Sequence, residues 1–363
     1  MSILLKQIKN LDWGIMFPVF MLVCFGLIGI YSTCLAKNDF LNLYKQIGFV
    51  VVGFLIMLLI SFFDYRLLRN NSYLILILYG ISLFLLVGVY FFAPIIRGTK
   101  GWYQLGILTL DPNEPTKIIL LILLAKYFSM RHVEMYKFRN IIFSGLYVFF
   151  PALLIFIKPD LGGATILVLM WIGILLISGI KINHFLILSL CFILVASLAW
   201  IFILKDYQKE RITSFIFPYD YLGSSWSQNQ TKISIGSGKI FGQGMGNGSQ
   251  VQYGFLPEPH TDFIFSVLAH EWGIVGVLAL FTTYGFLIWN ILKIAIRSES
   301  NFPRLFASGF VIMLVSRLFI NVGMNLSLLP VVGISLPFVS YGGSGLIGNF
   351  ISLGILQSFK VRA

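Results

Sequence analysis

Long apolar runs separated by short polar turns dominate the chain. A bilayer core needs roughly 20 apolar residues per helix, and runs close to that length recur along the whole sequence. We count ten, at residues 13–35, 46–63, 72–92, 117–130, 141–157, 162–179, 183–204, 263–292, 305–325 and 343–359. The fourth is short, and the eighth is long enough to tilt or project. The pattern predicts an all-α polytopic membrane protein with about ten transmembrane helices, forming a single domain over residues 1–363.

Composition supports this class and decides how the net charge is interpreted. Hydrophobic residues make up 58% of the chain and charged residues 11%, which lies outside the range of soluble globular proteins. The net charge of +12 would suit a nucleic-acid-binding protein, but in a membrane protein it reflects cytoplasmic anchoring and contact with anionic lipid. Cys24, Cys34 and Cys191 lie in apolar runs without paired spacing, so they give no redox or metal signal. The first run is too long for a signal-peptide core, and we expect it to be an uncleaved helix.

Basic residues predict the orientation of the spans. With the N-terminus in the cytoplasm, the inner segments hold 14 of the 26 Lys and Arg residues, mostly in short turns beside helix ends. The outer segments hold 11, five of them in one long loop that the positive-inside rule weights less. We therefore expect both termini to be cytoplasmic. The large loop at about 205–262, between the seventh and eighth spans, is expected to be extracytoplasmic.

Two outer segments are too polar and too long to be simple connections. One runs from about 94 to 116, and the other from 205 to 261. Loops of this length inside a compact protein are usually functional. The glycine-rich part of the second segment lacks the spacing of a phosphate loop or a dinucleotide site, and His270-Glu271 lacks the second His of a zinc protease.

Asp262 lies where the long loop meets an apolar helix, a position at which an ionisable group is a candidate functional residue. Ser266 and His270 follow at plus four and plus eight and share its helical face. Glu271 points roughly the opposite way and lies about 13 Å deeper, so we expect it to tie helices together. The residues alone support two interpretations of Asp262 about equally: a functional carboxylate or an N-terminal helix cap.

Other charged residues near the predicted outer face also allow two interpretations. Glu114 and Lys117 share a helical face and form either an interfacial salt bridge or a cation site for a phosphate. Asp160 is either a cap of the sixth span or part of a polar site. Arg317 and Asn321, one turn apart inside the ninth span, must face the bundle interior or water.

The stretch from Leu329-Pro330 to Leu336-Pro337 cannot be one regular helix. Broken backbone at membrane depth is tolerated where it is buried in protein or lines a cavity, so we expect a polar pocket near the outer face. Basic residues of the long loop would give this pocket a positive rim suited to pyrophosphate, or they form ordinary solvated surface. They are Lys205, Lys209, Arg211, Lys232 and Lys239.

Six short motifs follow one another along the chain. They are Pro159-Asp160-Leu161-Gly162, Gln230-Thr231-Lys232-Ile233, Ile235-Gly236-Ser237-Gly238, His260-Thr261-Asp262-Phe263-Ile264-Phe265, Leu336-Pro337 and Ser340-Tyr341-Gly342-Gly343-Ser344. Together they resemble the SEDS family (shape, elongation, division and sporulation), over essentially the whole chain and in the family's order. The short N-terminus and Asn321-Val322-Gly323-Met324 are closer to the RodA-like branch than to the FtsW branch.

The resemblance implies a ten-span peptidoglycan glycosyltransferase of the bacterial cytoplasmic (inner) membrane. Such an enzyme polymerises lipid II, extending an undecaprenyl-pyrophosphate-linked glycan on the outer face. It works with a class B penicillin-binding protein, the transpeptidase that cross-links the product. Asp262 matches the family's essential carboxylate, the proposed general base. The expected substrate-binding residues are Glu114, Lys117, Asp160, Lys100, Lys232, His260 and Ser344. No organic cofactor is implied, and a divalent cation, Mg²⁺ or Mn²⁺, is the inorganic candidate, without assigned ligands.

The chain departs from the family's pattern at three places. Gly98-Thr99-Lys100-Gly101-Trp102 stands where Gly-Ala-X-Arg-Trp is usual, which removes one phosphate contact that Lys100 or Arg97 would replace. Asp111-Pro112-Asn113-Glu114 stands where Gln-Pro-Ser-Glu is usual, and His270 stands where a Glu is usual.

Two other functions remain open from the sequence. A bundle with internal charges and broken helices also fits a transporter of lipid-linked precursors, and the chain would also suit a non-catalytic scaffold for the cross-linking enzyme. A transporter needs charges near the midplane that both sides can reach. Most candidate residues here lie on the predicted outer side, and Arg317 is the exception.

Overall fold

The computed structural model describes residues 11–94, 101–106, 108–131, 137–158, 160–202, 204, 209–210, 213, 215 and 226–361. Within these ranges the protein consists of thirteen helices and one two-stranded hairpin. The helices are α1 Trp13–Lys37, α2 Leu41–Phe62, α3 Tyr65–Asn70, α4 Ser72–Phe92, α5 Asn113–Arg131, α6 Phe138–Ile157, α7 Leu161–Ile177, α8 Ile182–Phe202, α9 Trp226–Ser237, α10 Ser249–Gln252, α11 Ile264–Arg297, α12 Asn301–Asn325 and α13 Gly343–Val361. The strands β1 Tyr103–Leu105 and β2 Leu108–Leu110 pair antiparallel.

Ten of these helices overlie the ten apolar runs of the sequence, so the all-α class is confirmed. Seven of them, in the part of the chain that the structure describes, are long and apolar enough to cross a bilayer. The helix α7 is also apolar but shorter, at 17 residues. The number of ten spans and the sidedness of the loops stay predictions.

The bundle is built around the last three long helices. The helix α12 packs against α5, α7 and α11, while α11 also packs against α1. The helix α13 lies along α2. Glycines, which have no side chain, lie in the contact between these two helices. Gly53 lies beneath the ring of Phe350, and Gly354 faces Ile60. Small residues let two helices approach closely, which is how helices associate inside a membrane.

The helix α11 is broken at Gly273, whose φ of 65° and ψ of −159° are not helical. The glycine-rich segment of the preceding loop fills the break. The amides of Gln243 and Gly244 donate to the carbonyls of His270 and Glu271, each at 3.0 Å. The sequence predicted a run long enough to tilt or project, and the break at Gly273 is an addition that it did not predict. Backbone hydrogen bonds from a distant loop allow two helical pieces instead.

The stretch between α12 and α13 is irregular from residue 330 to 336, as its prolines predicted. Side chains of neighbouring helices satisfy its backbone. The amide of Asn321 donates to Ile334 O at 2.7 Å, and the hydroxyl of Tyr284 donates to Pro337 O. Buried backbone groups need such partners in a membrane protein. The prediction that this stretch lines a cavity is confirmed.

Candidate active site

A polar cavity of about 210 Å³ lies where the hairpin, the start of α5, the turn before α11 and the irregular stretch before α13 meet. Among the described residues, four charged side chains line it: Asp111, Glu114, Asp262 and Arg317. Three of them were singled out in the sequence as candidates for a site. Residues about 200 positions apart therefore meet in one cavity, which makes it the candidate active site.

Asp262 lies in the turn immediately before α11, and its side chain is partly exposed to the cavity. Its backbone carbonyl accepts hydrogen bonds from the amides of Asn321 and Asn325, both at 3.0 Å. These two amides stand one turn apart on α12 and hold the turn in place. Phe263, rather than Asp262, occupies the N-cap position of α11. The N-cap position of α11 therefore lies one residue after the position that the capping interpretation assigned to Asp262.

Arg317 supplies the positive charge of the cavity. Its side chain is only 2% exposed and donates to Ser335 Oγ at 2.6 Å and to Glu114 Oε2 at 3.3 Å. The prediction that Arg317 and Asn321 face the bundle interior is confirmed. The serine and the carboxylate hold the planar guanidinium in one orientation, so Arg317 presents a fixed cation.

Glu114 lies between two cations. Lys117 Nζ contacts Glu114 Oε1 at 2.8 Å, while Arg317 contacts the other carboxylate oxygen, Oε2. The predicted salt bridge is confirmed. Lys117 is buried and is not one of the residues that line the cavity. From behind the cavity wall, its ammonium group fixes the position of the Glu114 carboxylate. Its direct contact with substrate stays a prediction.

Asp160 caps α7, which confirms the structural interpretation given for it from the sequence. Its Oδ1 accepts from Gly163 N at 2.7 Å, and its Oδ2 accepts from Asn113 Nδ2 at 2.7 Å. Lys158 Nζ donates to Asn113 Oδ1 at 3.1 Å, and burial lowers the pKa of this lysine. Asp160 does not line the cavity. It reaches the site indirectly, through Asn113 and the first turn of α5.

Ser344 and Asp111 join the start of α13 to the hairpin. The backbone amide of Asp111 donates to Ser344 Oγ at 2.9 Å, and both residues line the cavity. Burial, and then the charge of Glu114, raise the pKa of Asp111 to about 7. The sequence placed Ser344 in the site but did not place Asp111 there. The departure from the family's Gln at this position was the one signal that could have found it.

Three other expected binding residues have different outcomes. His260 lies beside the cavity: its carbonyl accepts from Tyr341 N at 2.8 Å, and its ring packs edge-on against Tyr341 at 5.6 Å. Lys232 is exposed on α9 and does not line the cavity. Lys100 lies outside the described residues. Among the described residues, the positive charge at the cavity is that of Arg317 on α12, and Lys209, Lys232 and Lys239 of the predicted rim are not among the lining residues. Lys205 and Arg211 of that rim lie outside the described residues.

The residues after Asp262 on α11 fasten this helix to three neighbours. Ser266 Oγ donates to Asn325 Oδ1 at 2.6 Å, and His270 Nδ1 lies 2.7 Å from both Ser237 Oγ and Ser234 O on α9. Glu271 accepts a hydrogen bond from Ser32 on α1. The prediction that Glu271 ties helices together is confirmed.

The described residues contain no group of three or more His, Cys, Asp and Glu arranged to hold a metal ion. Mg²⁺ is commonly held by one or two carboxylates together with substrate phosphates and water. Asp111 and Asp262 line the cavity with carboxylate oxygens of this kind, while Glu114 is engaged by its two cations. The donor set fits Mg²⁺ or Mn²⁺ only with substrate oxygens completing the coordination.

Comparison with known proteins decides the family. The model of the family described as cell cycle protein FtsW/RodA/SpoVE matches residues 12–363. The chain belongs to the FtsW/RodA/SpoVE family. It is 36% identical to the peptidoglycan glycosyltransferase MrdB of Escherichia coli K12, over 95% of this chain and 93% of that protein. Its identity to stage V sporulation protein E of Bacillus subtilis is 32%, over 93% of each.

Solved structures of similar sequence share this fold. A chain of a peptidoglycan synthase complex that coordinates polymerization and crosslinking superposes with a TM-score of 0.82 and 32% identity, over 97% of this chain and 98% of that one. The rod shape determining protein RodA of Thermus thermophilus superposes with a TM-score of 0.70 and 30% identity, over 96% of each chain. The resemblance noted in the sequence is confirmed.

Proposed function

We propose that this protein is a peptidoglycan glycosyltransferase that polymerises lipid II for cell elongation and rod shape. Asp262 carries the proposal, because its carboxylate enters a polar cavity that also contains the fixed cation of Arg317. A relative that is similar over nearly its whole length is named a peptidoglycan glycosyltransferase. The reaction needs a base and a positive potential close together, and this cavity has both.

The proposed reaction is a glycosyl transfer with inversion. The 4-hydroxyl of the incoming lipid II lies within hydrogen-bond reach of Asp262, which takes its proton. The hydroxyl oxygen forms a bond to the anomeric carbon of the growing chain. The bond from that carbon to undecaprenyl pyrophosphate breaks, and its electron pair leaves with the pyrophosphate oxygen. Asp262 ends the step as a carboxylic acid and returns its proton to water.

The remaining residues orient the base and stabilise the leaving group. Arg317 is held by Ser335 and Glu114, so its charge is already directed at the cavity when negative charge develops on the pyrophosphate. Asn321 and Asn325 position the backbone of Asp262. A bound Mg²⁺ or Mn²⁺ would add further positive charge at the phosphates.

The transporter alternative loses its main support in the structure. Arg317 was the one internal charge that suited a site reachable from both sides of the membrane. It lines the same cavity as Asp262 and Glu114. A cavity that brings all three of these charges together at the Asp262 end of α12 fits chemistry on one face of the membrane better than alternating access.

The proposed partner is a class B penicillin-binding protein. A structure similar over almost the whole chain comes from a peptidoglycan synthase complex, and polymerised glycan must be cross-linked by a transpeptidase. The proposed location is the bacterial inner membrane, with both termini in the cytoplasm and the cavity on the outer side.

Incubation of the purified protein with labelled lipid II, with and without the partner, tests the proposed function. We expect a ladder of glycan strands from the complex, and a scaffold would give none. Release of undecaprenyl pyrophosphate in step with strand growth distinguishes polymerisation from simple binding. Lipid II that only crosses a vesicle membrane unchanged would support the transporter.

A further inference from the structure

A second polar cavity, of about 580 Å³, lies at the other end of the bundle. The helix α12 ends beside Asp262 and begins at this cavity, and its 25 residues separate the two sites by roughly 36 Å at about 1.5 Å per residue. The short helix α3, the last turns of α11 and α13 and the first turn of α12 form its walls. No part of the reaction proposed above uses this cavity.

Cations outnumber carboxylates among the residues that line this cavity. The lining residues include five cations and two carboxylates, a formal charge of +3: Arg66, Arg69, Lys293, Arg297 and Lys360, with Asp12 and Glu299. Lys360 pairs with Asp12 at 2.9 Å. Over the described part of the chain, the other four cations form no ion pair with a carboxylate. Within the described residues, the cavity therefore keeps a net positive charge.

Helix-end electrostatics accounts for only part of this charge. Arg297 and Lys360 stand in the last turns of α11 and α13, where cations offset the helix dipole. The first turn of α12 faces the same cavity, and its N-cap Ser300 makes no side-chain capping bond. A helix N-terminus attracts anions. The cations and this helix start thus favour the same kind of ligand in one space.

The cavity also has an apolar side. Tyr65, Ile294, Pro303 and Phe359 contribute to its walls, and the rings of Tyr65 and Phe359 meet edge-on at 4.9 Å. One turn from the cavity, the exposed ring of Trp289 lies 5.5 Å from Lys293 Nζ. Exposed Trp beside basic residues is typical of the headgroup level of a bilayer. A ligand that is anionic at one end and apolar at the other matches such walls.

We propose that this cavity binds the phosphodiester group of an anionic phospholipid from the leaflet predicted to be cytoplasmic. The cations and the start of α12 contact the phosphate oxygens, and the glycerol and upper acyl chains lie along the apolar side. A soluble phosphate carries the same negative charge, but it has no apolar part that could contact the apolar walls. The site is independent of the proposed polymerase activity.

Retention of lipid by the purified full-length protein tests the proposal. Native mass spectrometry would compare phosphatidylglycerol with phosphatidylcholine, at equal concentration, for the parent and for Lys293→Gln/Arg297→Gln. The control is Arg304→Gln, an exposed cation on the same end of α12 that does not line the cavity. Each basic residue near an anionic lipid contributes about fivefold in affinity, so the double variant should lose about 25-fold. Thermal unfolding in detergent confirms that all variants fold.

The proposal is supported if the parent and Arg304→Gln retain phosphatidylglycerol in preference to phosphatidylcholine, and only the double variant loses this retention. Equal retention by the double variant and the control overturns it. Inorganic phosphate is compared with phosphatidylglycerol by the rise in unfolding temperature that each causes. If phosphate causes an equal rise, and the double variant loses that rise, the cavity binds a soluble phosphate and the lipid proposal is overturned. Displacement of the lipid by polyglutamate assigns it to an acidic protein segment instead.

Discussion

At the scale of single residues, the site depends on groups that orient one another. Asp262 and Arg317 are 55 positions apart, and both are held through polar partners on or next to α12. The motifs of the sequence identified Asp262, Glu114 and Ser344. They did not identify the burial of Asp111 or of Lys158, because that burial follows from tertiary packing.

Replacing Arg317 by Lys keeps the positive charge but removes the planar fork that reaches both Ser335 and Glu114. We expect polymerisation to fall by at least about tenfold, because one ammonium group cannot reproduce both contacts. Glycan synthesis by the purified complex measures this. The matched control is Arg304→Lys, on the exposed side of α12. Equal activity of the two variants would show that the orientation of the guanidinium is unimportant.

The raised pKa of Asp111 predicts a pH dependence of stability. Its folded pKa of about 7 lies above the ordinary value of 3.8, so the folded state binds the proton more tightly than the unfolded state. Stability from this group is present below the unfolded pKa and is lost as the pH rises towards 7. We expect Asp111→Asn to flatten the fall in unfolding temperature between about pH 4 and 7. Asp39→Asn, at an exposed turn, is the control and should follow the parent curve.

At the scale of elements, the apolar pattern predicted where the long helices lie, because apolar length depends only on local composition. The break in α11 was not predictable in this way. Nothing near Gly273 in the sequence shows that the loop at residues 239–244 supplies its missing hydrogen bonds. The helix α9 was likewise not predicted, because the sequence marked its segment only as a long polar loop that is functional.

Gly242→Ala tests the contact between this loop and α11. Gly242 has a φ of 80°, and a Cβ there would collide with the carbonyl of Glu271. Gly254 has a similar φ of 71° but open space around it. Both substitutions carry the same strain of about 1–2 kcal/mol, so only the collision differs between them. We expect Gly242→Ala to lower the unfolding temperature by several degrees more than Gly254→Ala, and equal shifts would argue against a packed loop.

In the whole molecule, the predicted topology puts the Asp262 cavity and the basic cavity on opposite faces of the membrane. Lys232 and Glu299 are exposed and lie at these two ends. In a variant without native cysteines, Lys232→Cys should react with an impermeant maleimide from outside the cell. Glu299→Cys should react only after the membrane is opened. The reverse pattern would contradict the predicted topology and place the cavity on the wrong side for polymerisation.

The substitution Asp262→Asn tests the assignment of Asp262 as the general base. The amide keeps the size of the side chain, and the bonds from Asn321 and Asn325 reach the backbone carbonyl, so the turn should stay intact. General base catalysis typically contributes about 10²–10⁴-fold, and we expect a loss of that size in glycan synthesis with unchanged unfolding temperature and partner binding. Glu258→Gln, in the same turn but outside the cavity lining, should retain activity. A folded Asp262→Asn protein that polymerises lipid II at the parent rate would contradict the account.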